Sequence, residues 1–86
     1  MVWPFGRQSV TKSVFTTRYE RFRKLLVRAR RMRGFTQAQL ARSLGRPQSF
    51  VSKYERGERR LDVIEFIEIT KAIGADPVEI LRDTVR

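Results

Sequence analysis

Residues 36–57, TQAQLARSLGRPQSFVSKYERG, decide the fold of this chain. Thr36 is suited to cap a helix, and Gln39, three residues later, completes the T-x-x-Q pattern of a capping box. The apolar residues that follow share one helical face: Leu40, Ala41 and Leu44. Gly45 comes directly after them, where helices commonly end in a left-handed residue. The stretch therefore begins with a short helix that is closed at both ends.

A tight turn and a second short helix complete the stretch. Arg46 and Pro47 form the turn, and Pro47 is tolerated at a helix start because its missing N–H would be unpaired there anyway. The inner side of the second helix is marked by Val51, Tyr54 and Glu55. Gly57 lies just beyond its last turn, and Ala41 is small where the two helices must cross closely. This pattern predicts a helix-turn-helix, a motif whose usual ligand is DNA.

The composition limits what else the chain can be. Eighty-six residues are enough for one domain with a small core. Cysteine and histidine are both absent, which excludes disulfides, zinc fingers, thiol nucleophiles and imidazole bases, so we expect no metal and no cofactor. Residues 1–6 lack the basic and apolar pattern of a signal peptide, and the apolar runs are too short to span a membrane. We expect a cytoplasmic protein without a membrane partner.

Positive charge is concentrated in the first two thirds of the chain. Residues 1–34 carry a net charge of +9, residues 35–60 carry +4 and residues 61–86 carry −3, which together give +10. Such a distribution is typical of a protein that binds a polyanion. The plainer explanation is a solvated basic surface that keeps a small protein soluble. It is less favoured here because the same chain is predicted to contain a helix-turn-helix.

The chain divides into an arm, residues 1–17, and a helical domain, residues 18–86. The arm has no helical period, but it is too apolar for a freely disordered tail. We expect part of it to dock on the domain or on a partner subunit, with a short strand around residues 10–15. The alternative is that Arg7 and Lys12 enter a DNA groove, as basic arms do elsewhere.

Three further helices are predicted around the motif. The first runs over residues 18–33 and ends at Gly34; its apolar stripe is Phe22, Leu25, Leu26, Ala29 and Met32. The fourth is capped by Asp62 with Glu65 as capping-box partner and stops at Gly74; its core face is Val63, Phe66, Ile67, Thr70 and Ile73. The fifth has Asp76, Pro77 and Glu79 as cap, first residue and box partner, and ends near Thr84. The predicted fold class is all-α with five helices.

The last two helices carry more apolar residues than one inner face can use. These surplus residues are Ile64, Ile69, Val78, Ile80, Leu81 and Val85. Some of them should meet another subunit, which favours a homodimer. A thick local core beneath the arm is the alternative.

From about Phe22 to Leu81 the chain resembles the Cro and phage-repressor family of DNA-binding domains, also called the Xre family. The family pattern is present in order, as Arg30 with Gly34, the run TQAQLA at 36–41, Gly45, the run ERG at 55–57 and the run AIG at 72–74. The resemblance implies a five-helix lambda-repressor-like bundle with an extended N-terminal arm. It also implies that the start of the third helix enters the major groove of double-stranded DNA.

On that resemblance, the residues expected to read bases are Gln48, Ser49, Ser52 and Lys53. Gln suits adenine and Lys suits guanine, whereas Ser pairs with several bases and specifies less. Phe50 departs from the family, which often has a small polar residue there. It is expected either to touch a thymine methyl group or to cover an edge of the domain near the phosphates.

Phosphate contacts are expected from the front of the second helix and from nearby arginines: Gln37, Arg42, Arg46, Arg56, Arg59 and Arg60. Pro47 replaces the Ser or Thr that commonly caps the third helix, so this helix is expected to start one residue off the family pattern. The family pairs the positions of Arg30 and Glu55 as a structural ion pair. Arg30 as a DNA contact is the weaker alternative, because Glu55 would then be an acid beside a polyanion.

The function expected from these features is sequence-specific DNA binding by a transcriptional regulator, most simply a dimeric repressor. One alternative is an antitoxin that uses the same motif while the arm and the last two helices bind a toxin. Another is RNA binding or purely protein binding, although no aromatic ladder for stacking single-stranded bases is visible outside the arm. Enzymatic activity is the weakest option, because Asp62, Glu65 and Glu68 are explained as caps and solvated surface residues.

Overall fold

The computed structural model describes the backbone of residues 12–86 and the side chains of residues 17–86. This part of the chain forms five helices: α1 (Lys12–Met32), α2 (Gln37–Leu44), α3 (Gln48–Glu55), α4 (Val63–Ile73) and α5 (Pro77–Val85). The all-α class and the number of helices are confirmed. None of the described helices is long and apolar enough to cross a membrane.

The caps of α2 and α4 are those that the sequence predicts. Thr36 Oγ1 accepts a hydrogen bond from the Gln39 N–H at 3.0 Å, and Gln39 Oε1 accepts one from the Thr36 N–H at 2.9 Å. Asp62 and Glu65 form the same reciprocal pair at the start of α4. Gly45, which closes α2, has a φ of 68°, a left-handed conformation that glycine adopts without a steric cost. Capping therefore fixes where α2 and α4 begin. Gly45 fixes where α2 ends and the turn to α3 starts.

Three boundary predictions are wrong. α1 begins at Lys12 rather than Arg18, and residues 12–15 are helical, so they do not form the expected strand; residues 1–11 lie outside the described part. Pro47 is the N-cap of α3, the position where the family commonly has a Ser or Thr cap, so α3 does not start one residue off the family pattern. Asp76 accepts from the Val78 N–H at 2.9 Å instead of forming a capping box with Glu79, because the box requires the amide one residue further on.

The core lies where α1, α2, α3 and α4 meet. Its fully enclosed side chains are Leu26, Leu40, Val51, Tyr54 and Ile69. Ala41 is also buried, as the close crossing of α2 and α3 requires. Ile80 of α5 packs against the same cluster. This arrangement buries one side of each motif helix and leaves the other sides to solvent.

Part of the predicted inner face is on the surface. Met32, Val63 and Ile67 are exposed, at 73%, 69% and 39%. Ile69 and Ile80, which the sequence left among the surplus apolar residues, are buried. On α4 the buried side is centred on Phe66, Ile69 and Ile73, and the ring of Phe66 packs against Phe22 of α1 with centroids 5.2 Å apart. The buried face of α4 therefore differs from the predicted face, which also included Val63 and Ile67.

Candidate nucleic-acid interface

The outer side of α3 carries four polar residues that are open to solvent or half-buried: Gln48, Ser49, Ser52 and Lys53. They occupy positions i, i+1, i+4 and i+5, which share one face of a helix, while the opposite face is buried. Ser52 Oγ donates to the Ser49 carbonyl at 3.3 Å. All four residues predicted to read bases therefore lie on one accessible surface.

Phe50 is not on that surface. It is 7% exposed and meets Tyr54 edge-on, with ring centroids 5.6 Å apart. The guanidinium carbons of Arg46 and Arg59 lie 4.4 and 4.9 Å from the centre of the Phe50 ring. Burial of the ring beneath two arginines favours the expectation that Phe50 covers an edge of the domain near the phosphates over a contact with a thymine methyl group.

Arg46, Phe50, Arg59 and Glu65 form what we call the Phe50 cluster. Arg59 donates to both carboxylate oxygens of Glu65, at 3.0 and 2.8 Å. Arg46 approaches the same carboxylate less closely, at 3.4 Å. Two cations therefore share one anion, and both stack on one aromatic ring, an arrangement that cation–π attraction favours.

The ion pair predicted between α1 and α3 is present and buried. Arg30 Nε donates to Glu55 Oε2 at 2.6 Å, and Arg30 Nη2 donates to Glu55 Oε1 at 3.0 Å. Arg30 and Glu55 are each 6% exposed, so Arg30 is a structural residue rather than a surface available to DNA. Arg30 Nη1 also donates to the Phe35 carbonyl at 2.6 Å, which ties the network to the residues before α2.

Gln37 belongs to the same network. Its Nε2 donates to Glu55 Oε1 at 2.8 Å, so its half-buried side chain is held against the end of α3. The sequence predicted a phosphate contact through either the side chain or the backbone of Gln37. The backbone N–H at the start of α2 and the second N–H of the Gln37 amide both keep that option without breaking the network.

The arginines predicted to meet phosphates differ in their surroundings. Arg42 is exposed and has no ion-pair partner among the described residues. Arg56 pairs with Glu58 at 3.0 Å, but both side chains are more than half exposed, and such pairs are weak. Arg60 stacks on the ring of Tyr19 with its guanidinium carbon 4.3 Å from the centre. Arg42 is thus the member with no internal partner in the described part of the chain, while Arg46 combines its contacts to Glu65 and Phe50 with a side chain that is 40% exposed.

Comparison with known proteins shows the family. The structure superposes on that of an XRE-family like protein from Pseudomonas syringae pv. tomato with a TM-score of 0.85 and 49% sequence identity, covering 91% of this chain and 95% of the other. Residues 26–80 match the sequence model of the helix-turn-helix family. The chain belongs to the Xre family of Cro-like helix-turn-helix proteins.

A curated relative of this Xre-family protein points the same way. The uncharacterized HTH-type transcriptional regulator y4dJ of Sinorhizobium fredii is 37% identical over 57 residues, which cover 66% of this chain and 74% of the relative. The Xre-family chain is accordingly a DNA-binding transcriptional regulator.

Electrostatics favour the ionised form of Glu65, the carboxylate of the Phe50 cluster. The hydrogen bonds from Arg59 and the Asp62 backbone lower the pKa of Glu65 from 4.5 to about 2. The bond between Arg59 and Glu65 also raises the pKa of Arg59. Glu65 is thus ionised through the whole neutral and mildly acidic range. Burial raises the pKa of Tyr54, so its hydroxyl stays protonated beneath the motif.

We expect Glu65 to stabilise the protein in a pH-dependent way. Because its pKa in the folded state lies below the ordinary value of 4.5, its charge stabilises the fold fully above about pH 4.5, and this contribution is lost as the pH falls toward 2. The melting temperature of the wild type should exceed that of Glu65→Gln at pH 6, and the difference should shrink between pH 4.5 and 2. Glu68→Gln, an exposed position on the same helix, is the control. A difference that is constant across this range contradicts the role of the charge.

Sequence reasoning missed two contributions to this site. Glu65 was identified as a capping-box residue, but its bonds to Arg59 and Arg46 bring together three segments that no local pattern connects. Arg23 of α1 donates to the Glu55 carbonyl and to Glu20, and so clamps the end of α3. The only sequence signal was the spacing of Glu20 and Arg23, which favours a pair within a helix.

Proposed function

We propose that this protein is a sequence-specific repressor that places α3 in the major groove of double-stranded DNA. The observation that carries the proposal is the accessible polar face of α3 formed by Gln48, Ser49, Ser52 and Lys53, backed by a buried opposite face. A major groove about 12 Å wide accepts one helix, and the amide of Gln and the ammonium of Lys match the edges of adenine and guanine. Occupying the groove keeps competing proteins from the same DNA.

The base-reading face needs a fixed orientation, and contacts at both ends of α3 supply it. Arg30 holds the Glu55 side chain at the end of α3, and Arg23 holds the Glu55 carbonyl. At the start of α3, the ring of Phe50 contacts the guanidinium groups of Arg46 and Arg59. Both ends of the short helix are therefore anchored, as discrimination between bases requires.

Phosphate contacts set the register of the helix on the duplex without reading sequence. Arg42, Arg46 and the backbone N–H groups at the start of α2 supply them in this proposal. Arg42 is exposed, and the side chain of Arg46 is 40% exposed although it stacks on Phe50. Arg59 is a weaker candidate than the sequence suggested, because Glu65 already binds its guanidinium in a bidentate manner.

The proposed repressor acts as a homodimer. α4 and α5 expose six apolar side chains at 39 to 69%: Val63, Ile64, Ile67, Val78, Leu81 and Val85. A second copy covering these residues would relate the two α3 helices by a twofold axis, and their spacing must then match one helical turn of DNA, about 34 Å. A toxin protein would use the same surface in an antitoxin, and a second small protein that co-purifies with the chain would reveal that alternative.

Substitutions separate base reading from phosphate binding. Gln48→Ala and Lys53→Ala should lower the preference for a selected site over its single-base variants, because each good contact contributes about 1 to 3 kcal/mol of discrimination. Arg42→Ala should weaken binding to all sequences alike. Competition titrations with a set of single-base variant duplexes measure both effects. The opposite result, a uniform loss for Gln48→Ala and relaxed preference for Arg42→Ala, contradicts the assigned roles.

A further inference from the structure

A groove runs along α1 on the side that meets the motif. It has a volume of about 500 Å³, and α1 contributes Arg23, Lys24, Arg28 and Arg31 to its wall. The opposite wall includes Gln37 at the start of α2 and Arg56 just after α3. We call this the α1 groove. It opens beside the two ends of the motif and not on the base-reading face of α3.

Three of the charges in the α1 groove have no counter-charge in the described part of the chain. Glu55, the one acidic residue of its lining, is occupied by Arg30 and Gln37. Arg23 is bonded to Glu20, and Arg56 is bonded to Glu58. Lys24, Arg28 and Arg31 are exposed and make no hydrogen bond or ion pair with any residue between 17 and 86.

The three uncompensated charges form a line rather than a point. Residues 24, 28 and 31 are spaced i, i+4 and i+7, so they extend over about 10 Å of helix at a rise of about 1.5 Å per residue. A DNA strand carries one phosphate per about 3.4 Å of axis and has a longer path between phosphates along the strand itself, so this length corresponds to about two to three phosphates. A compact anion would need the charges to converge on one position, whereas a strand backbone matches a line.

We propose that the α1 groove binds the phosphate backbone of DNA outside the base pairs that α3 reads. The inference rests on the proposed function, because it extends the same DNA beyond the motif. Lys24, Arg28 and Arg31 supply affinity without base preference. The backbone N–H at Gln37 lies at the end of the α1 groove that meets the start of α2. The DNA site is therefore longer than the sequence that α3 specifies.

The test compares Lys24→Gln/Arg28→Gln/Arg31→Gln with a control of equal charge change, Lys71→Gln/Arg82→Gln/Arg86→Gln, on the exposed surface of α4 and α5. Binding is measured between 50 and 300 mM salt on a duplex with long flanks and on one cut at the ends of the specified site. On the long duplex, the slope of log K against log salt should fall in magnitude by about 0.9 for each phosphate lost, or about 2 to 3 in total, for the groove variant only. On the short duplex, the wild type and the groove variant should have nearly the same slope. The base preference of the groove variant should equal that of the wild type.

Other outcomes separate this inference from the proposed function. Specific binding with equal slopes for the wild type and the groove variant overturns the α1 groove alone. An equal loss in the control variant also overturns it, since net charge and not position would be responsible. Tripolyphosphate binding that disappears in the groove variant, with an unchanged slope on DNA, assigns the groove to a free anion instead. If the wild type shows no sequence preference on any duplex, the proposed function fails first.

Discussion

Glu55→Ala is expected to destabilise the protein by about 3 kcal/mol or more, because it leaves the buried guanidinium of Arg30 without its carboxylate. Arg30 would keep only its bond to the Phe35 carbonyl, and Gln37 would lose its acceptor as well. For a domain of this size the loss corresponds to a decrease of about 12 °C or more in melting temperature. Thermal unfolding followed by circular dichroism measures it.

Two further variants isolate the cause of that loss. Glu58→Ala removes an acid whose side chain is 53% exposed and whose partner Arg56 is also exposed, so it should change stability by less than about 0.5 kcal/mol. Arg30→Met combined with Glu55→Leu replaces the buried pair with apolar side chains and should recover most of the stability. A melting temperature unchanged in Glu55→Ala would show that the pair does not hold α1 to α3.

Salt should weaken DNA binding by the wild type to a large extent. If the motif and its flanking cations neutralise six to ten phosphates, the affinity should fall by about 10³ to 10⁵ between 50 and 200 mM salt. The net charge of +10 and the exposed Arg42, Lys24, Arg28 and Arg31 make this number of contacts available. Fluorescence anisotropy on a labelled duplex gives the slope.

The counterions released from DNA are the reason for that expectation, so the same titration with a glutamate salt in place of chloride serves as a control for anion effects on the protein. The slope should keep its sign and most of its size. An affinity that stays within a factor of about three over the same range would be incompatible with phosphate contacts as the main source of binding energy.

The motif could be read from the sequence because its signals are local. The caps at Thr36 and Asp62 use a partner three residues away, and Gly45 ends α2 by its own conformation. The exposed face of α3 follows from the positions of Val51 and Tyr54, which are buried as predicted. The Arg30 and Glu55 pair came from the family pattern alone, since 25 residues separate the two partners.

Interactions between distant segments explain what the sequence could not predict. Phe50 is buried only because Arg46, Arg59 and Tyr54 surround it, and no spacing rule connects Arg59 to the start of α3. The bond from Gln37 to Glu55 likewise depends on how α2 docks against α3. On α4, Ile67 and Ile69 are both apolar, and the periodicity alone assigns the wrong one, Ile67, to the core.

The central claim is that this protein reads base sequence through α3, and selection of bound sites from random duplex DNA tests it most directly. The wild type should enrich a near-palindromic site whose half-sites are one helical turn apart, about 34 Å between centres. Gln48→Ala should enrich a site with the same spacing but a relaxed preference at one position in each half. Failure of the wild type to enrich any sequence, while the protein remains folded and still binds duplex DNA, would contradict the claim.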